Sequence, residues 1–143
     1  MGWDMNCVVE ALNRKTEKWD FFAASMSHRN TEMFFRIAGF GSYEGEIEPI
    51  DDCRGSPVDT SDPTDTWSDY NEDWSSTWLD RAELESLNQW LKERYNLGAG
   101  FKNCLWQALD LKSLSALFNL EGDWAEASAA RYKDLRVLFY FSH

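Results

Sequence analysis

Between Glu44 and Asp73 the chain has almost no positive charge: eleven carboxylates share the segment with one cation, Arg54. The other 113 residues carry 13 basic against 14 acidic side chains, so −10 of the net charge of −11 belongs to this one segment. Such a block repels phosphate and anionic membrane surfaces and attracts basic ones, so direct nucleic-acid binding is not expected. Histidine is scarce: His28 and His143 are the only two, and neither an HxxxH nor a CxxC spacing occurs. A dedicated zinc site is therefore not expected. Cysteine is odd in number and widely spaced (Cys7, Cys53, Cys104), which speaks against a disulfide framework and for a reduced, cytoplasmic protein. No apolar run approaches the ~18 residues of a membrane span. The N-terminal residues lack the basic and apolar regions of a secretion signal, so none is expected. GxSxG, P-loop and GxGxxG motifs are absent too, leaving no recognisable catalytic or nucleotide-loop signature.

What is present is apolar and aromatic. Hydrophobic residues make up 43% of the 143 residues, with eight Trp and nine Phe, enough for the core of a single domain spanning residues 1–143. Residues 3–10 alternate, with Trp3, Met5, Cys7 and Val9 on one face and Asp4, Asn6, Val8 and Glu10 on the other, the period of a half-buried strand. Asn13-Arg14-Lys15 reads as a turn, and Lys18 to Phe22 as a returning strand. Asn30 can cap a helix whose apolar positions are Met33, Phe34, Ile37 and Ala38 and which stops at Gly39.

Residues 44–76 hold all three prolines and read as a long acidic loop. Asp80 with Glu83 predicts a capping box, opening a helix with Leu84, Leu87, Leu91 and Tyr95 on its buried face. Two helical pieces are expected between Phe101 and Leu120, and a short one from about Asp123 to Tyr132. Trp90, Trp106 and Trp124 read as core or subunit interface, compatible with a homo-oligomer. Leu135 to Phe141 is apolar on both faces, as in a central strand, and pairs best with the first. The expected class is α+β: a small, mostly antiparallel sheet joining the N- and C-terminal strands, packed by helices.

Several segments occur in an informative order: Met1-Gly2-Trp3-Asp4-Met5 through Glu10; His28-Arg29-Asn30 with Met33-Phe34-Phe35-Arg36-Ile37-Ala38-Gly39; Pro49-Ile50; Arg54-Gly55-Ser56-Pro57; Ser76-Thr77-Trp78-Leu79 with Glu83-Leu84; and Arg136-Val137-Leu138-Phe139-Tyr140-Phe141. Together they resemble a family of small uncharacterised proteins found mostly in bacteriophages and prophages. The resemblance implies a phage accessory protein, of a kind that frequently acts against host defence, working in the host cytoplasm. Asn6 and Ser76-Thr77 stand where that family often has His, so no metal or acid–base chemistry is implied.

Two sites are expected. The first is a polar pocket of Asp4, Asn6, Glu10, Arg29, Arg54 and Asp59. Its Arg forks could hold a phosphate and a ring such as Trp78, Trp67 or Trp3 could stack on a base, which suits sequestration of a nucleotide-derived immune signal. Alternatively, Arg54 pairs with Asp51 or Asp52 and pins the loop. The second is the acidic block itself, with Asp59, Asp62, Asp65, Trp67, Asp69 and Trp74 docking on a basic host protein, a nuclease or CRISPR effector, in the manner of DNA, which presents one charge per about 1.7 Å of axis. Asp59, Asp62 and Asp65 lack the Gly and Glu of a calcium loop, and no metal or cofactor is expected. Neighbouring carboxylates would raise the thiol pKa of Cys53, the wrong direction for a nucleophile. The chain reads as a binding protein; hydrolysis of a signalling nucleotide is the minor alternative.

Overall fold

The structure, a computed structural model, describes residues 4–28, 31–39, 47–51, 53–69, 75–95 and 131–142. Four strands form one antiparallel sheet: β1 (Asp4–Asn13), β2 (Trp19–His28), β3 (Ser75–Asp80) and β4 (Tyr132–Ser142), in the spatial order β2-β1-β4-β3. Three helices accompany it, α1 (Thr31–Ala38), α2 (Asp62–Asp69) and α3 (Arg81–Arg94). The N- and C-terminal strands are neighbours at the centre, and the fold is α+β.

Alternation along the strands sorts the side chains into two faces. On one face Met5, Cys7, Val9 and Ala11 of β1 join Leu135, Val137, Phe139 and Phe141 of β4 and Leu79 of β3. Met33, Phe34 and Ile37 of α1 and Leu84, Leu87 and Leu91 of α3 cover them. Phe34 meets Phe141 edge to face with ring centroids 5.5 Å apart, the arrangement aromatic quadrupoles prefer. The second face carries a smaller cluster of Val8, Leu138 and Tyr140, flanked by Phe21 and Trp78. Residues Met5 to Ala11 are all buried, so β1 is covered on both faces rather than half-buried as its alternation suggests. The discrepancy arises because Glu10, a charged residue, points into a buried interaction.

Local chemistry sets the helix ends. Gly39 follows α1 with φ 75°, a left-handed conformation costly for a side chain, and its N–H closes on the Phe35 carbonyl at 2.8 Å. At α3 the predicted capping box is present: Asp80 accepts from the Glu83 N–H (2.9 Å) and Glu83 accepts from the Asp80 N–H (3.1 Å). This helix ends one residue earlier than its apolar spacing suggests. Tyr95 is the C-cap and is exposed, not part of the buried face.

Three further boundaries differ from expectation. The second strand runs from Trp19 to His28 rather than stopping at Phe22, and β4 begins at Tyr132 rather than Leu135. The acidic segment is not one loop, because it contains α2 and reaches β3. The helices expected between Phe101 and about Tyr132, together with Trp106 and Trp124, lie up to residue 130 outside the described residues, and Tyr132 itself belongs to β4 rather than to a helix. Among the described residues no helix is long and apolar enough to cross a membrane.

Candidate functional site

The second face of the sheet holds one charged pair at its centre. Glu10 of β1 stands directly opposite Arg136 of β4, where a register shift between Val9 and Glu10 also distorts the pairing with β2. Both side chains are buried, Glu10 at 0% and Arg136 at 4% exposure. A buried ion pair persists only when its remaining lone pairs and protons are also satisfied. Glu10 meets that condition with four hydrogen bonds. Its Oε1 accepts from Arg136 Nε (3.0 Å) and Nη2 (2.7 Å). Its Oε2 accepts from the Ser61 N–H (2.9 Å) and the Thr64 hydroxyl (2.7 Å).

Those last two bonds fix the acidic segment to the sheet. Ser61 precedes α2; its carbonyl accepts the Asp65 N–H (2.9 Å) and its hydroxyl accepts the Thr64 N–H (3.3 Å), as an N-cap does. In a local capping box the N-cap N–H is satisfied by a Glu three residues on. Here Glu10, fifty-one residues away in sequence, takes that place. Asp59 completes the attachment, its Oδ1 accepting from Arg136 Nη1 at 2.9 Å while its side chain stays 62% exposed.

Tryptophan rings alternate with the guanidinium groups. Arg136 lies over Trp19 with its guanidinium carbon 4.0 Å from the ring centroid, and is 5.9 Å from Trp78. Arg54 lies over Trp78 at 4.4 Å. Cation–π contact of this kind strengthens where water is excluded. Arg54 also donates to both oxygens of Glu83 at 2.6 Å and pairs with Asp51 at 3.2 Å. Its backbone neighbours run along β3: the Gly55 N–H reaches the Ser76 carbonyl (2.9 Å) and the Cys53 thiol donates to the same oxygen (2.8 Å). The lone cation of the acidic block therefore pins its own loop.

No protein-family model matches this chain, and no curated protein or solved structure resembles it significantly.

The expected pocket residues fall into two groups. Glu10 and Asp59 are united through Arg136; Arg54 and Trp78 form a second cluster that Arg136 approaches. Asp4 and Asn6 lie on the same strand as Glu10, but Asp4 is six residues away, about 20 Å along an extended chain. Arg29, Asp52, Trp3 and Trp74 lie outside the described residues. Asp62 and Asp65 occupy the first turn of α2, where negative charge suits the helix dipole, and Trp67 and Asp69 lie further along it. Among the described residues no group of three or more His, Cys, Asp or Glu could hold a metal ion. Burial pushes the Cys53 thiol pKa up, the direction expected, although the cause is desolvation rather than adjacent carboxylates. Burial pushes Cys7 up much further.

A cleft of about 460 Å³ opens beside this cluster. Its walls include Glu17, Lys18, Trp19 and Asp20 from the β1–β2 turn and the start of β2, facing Asp59 and Asp62 from the acidic segment. Sequence reasoning did not single out Arg136 or Trp19 for this site. The available signal was one acidic and one basic residue, Glu10 and Arg136, each inside an otherwise apolar strand and on strands expected to pair.

Proposed function

We propose that this protein is a non-catalytic interaction protein whose acidic segment docks on a Lys- and Arg-lined surface of a partner. The supporting observation is the attachment of that segment: Glu10 and Arg136 hold Asp59, Ser61 and Thr64, so the carboxylates of Asp59, Asp62 and Asp65 are carried by a helix start fastened to a sheet. A pre-ordered acidic surface loses less conformational entropy on binding than a loose loop. Val58, fully exposed beside Asp59, supplies an apolar contact at the same place. Following the resemblance to phage accessory proteins, the partner is a host nuclease or CRISPR effector whose nucleic-acid channel the acidic surface occupies, with Asp59, Asp62, Asp65, Trp67, Asp69 and Trp74 as the contact residues.

Inhibition of DNA cleavage by a panel of such enzymes, at increasing salt, tests this. Inhibition is expected to weaken steeply as salt screens the charges, and to disappear when Asp59, Asp62, Asp65 and Asp69 are all changed to Asn. Unchanged inhibition by that fourfold variant rules the docking out.

Sequestration of a nucleotide-derived immune signal by Asp4, Asn6, Glu10, Arg29, Arg54, Asp59 and Trp78 is the second possibility. The aromatic rings favour it, but the guanidinium of Arg54 is held by Glu83 and Asp51 and that of Arg136 by Glu10 and Asp59. A phosphate would have to displace those carboxylates. A thermal-shift screen with cyclic nucleotides and ADP-ribose derivatives tests it, and a flat response leaves docking as the single proposal.

A further inference from the structure

We infer that the cleft beside Trp19 is a receptor for an arginine side chain presented by a protein partner. This inference rests on the docking proposal and gives it a specific contact. The molecule already builds this kind of site twice with its own residues. Arg54 lies over Trp78 while Glu83 accepts from its edge and Asp51 forms an ion pair with it. Arg136 lies over Trp19 while Glu10 and Asp59 bond its edges. With Arg136 also within 5.9 Å of Trp78, the four side chains run Arg54, Trp78, Arg136, Trp19, each cation followed by a ring. Trp19 ends the series, and Trp19 lines the cleft.

The cleft supplies the other half of the pattern. Glu17, Asp20, Asp59 and Asp62 line it against one cation, Lys18. Two of these carboxylates use a single oxygen among the described residues: Glu17 accepts from Lys133 and Asp59 from Arg136 through Oδ1. Among the described residues their second oxygens accept no hydrogen bond, which suits a fork of N–H donors. Arginine fits this better than lysine, because its planar group can stack on the indole and donate in pairs along its edges at once. The volume, about 460 Å³, lies within the ~300–1,000 Å³ typical of small-ligand sites, with room for the side chain and part of its backbone. Val58, next to Asp59, can meet an apolar flanking residue.

The probes are the capped pentapeptide Gly-Gly-Arg-Gly-Gly and its lysine and citrulline counterparts, the last keeping the shape without the charge. Calorimetry with the full chain is expected to show saturable binding of the arginine peptide, at least fivefold weaker binding of the lysine peptide, and none of the citrulline peptide. Changing Glu17→Gln together with Asp62→Asn is expected to weaken arginine binding about tenfold, and these positions lie outside the buried pair, so folding is retained. In chain labelled with 5-fluorotryptophan, the ¹⁹F resonance that Trp19→Phe removes is the one expected to move on titration. Absence of saturable arginine binding, equal binding of citrulline, or indifference to the double substitution overturns the inference. Asp65→Asn with Asp69→Asn separates it from the docking proposal. That pair should weaken binding to a basic partner while changing pentapeptide binding less than twofold. If partner binding responds to the aspartates but no probe enters the cleft, the docking proposal stands and the arginine receptor falls.

Discussion

Glu10 decides more than its size suggests. Its carboxylate joins two central strands to the start of α2, and every lone-pair direction it offers is used by Arg136, Ser61 or Thr64. Replacing one member of a buried pair leaves the other charge uncompensated, which costs about 3–5 kcal/mol, whereas removing both together costs far less than the sum. Glu10→Leu is therefore expected to lower the urea-unfolding free energy by about 3–5 kcal/mol. Adding Arg136→Met should bring a coupling energy of about 2 kcal/mol or more into the double-mutant cycle. Additive losses would show that Asp59 and the tryptophan rings carry Arg136 unaided. Cys7 illustrates the opposite case. Buried at 0% exposure on the apolar face of the same strand, its thiol is packing material, and its strongly raised pKa follows from desolvation alone.

At the scale of elements, α2 is the informative one. It has few apolar residues, and its start is bonded to the sheet through Ser61 and Thr64. Losing the Ser61 hydroxyl removes the cap on the Thr64 N–H, so Ser61→Ala is expected to cost about 1 kcal/mol. It should also speed amide exchange in residues 62–69 more than in the strands; Ser61→Asn should restore most of the protection. The same element shows why the sequence was only partly legible. Helices with an apolar stripe, α1 and α3, were visible from Met33, Phe34, Ile37 and from the Asp80–Glu83 box with Leu84, Leu87 and Leu91. So was β4, whose faces are both apolar. No stripe marks α2, and its only local signature is a Ser cap followed by Asp and Pro in the first turn, a pattern that a run of Asp, Ser and Thr conceals. Strand β3 was hidden because its six residues fall between the end of the expected loop and a helix cap, although Thr77 and Leu79 fall on one face and Trp78 on the other. Of the candidate site, Glu10, Asp59, Arg54 and Trp78 could be named from their residue types. Their division into two clusters around Arg136 could not, because it depends on the β1–β4 register.

Across the whole molecule the dominant contact is between strands far apart in the chain, Asp4 with Ser142 at one end of the ladder and Asn13 with Tyr132 at the other. Pairings of such separation require a large loop closure before they repay it, which places this topology among slower-folding domains. A chain truncated before Tyr132 is expected to lose cooperative thermal unfolding and its near-ultraviolet circular dichroism, because β1 and β3 both lose their shared neighbour. Retention of a sharp transition would mean that the β1–β2 hairpin and helices are self-sufficient. The order β2-β1-β4-β3 also has a consequence during synthesis. The β1–β2 hairpin leaves the ribosome well ahead of β4, with one edge of β1 bare and apolar residues on both of its faces, and it must wait for more than a hundred further residues before β4 arrives to cover that edge. Throughout that interval the nascent chain is open to mispairing, and the rate of translation, or a chaperone that shields the hairpin, governs how much of it reaches the native sheet.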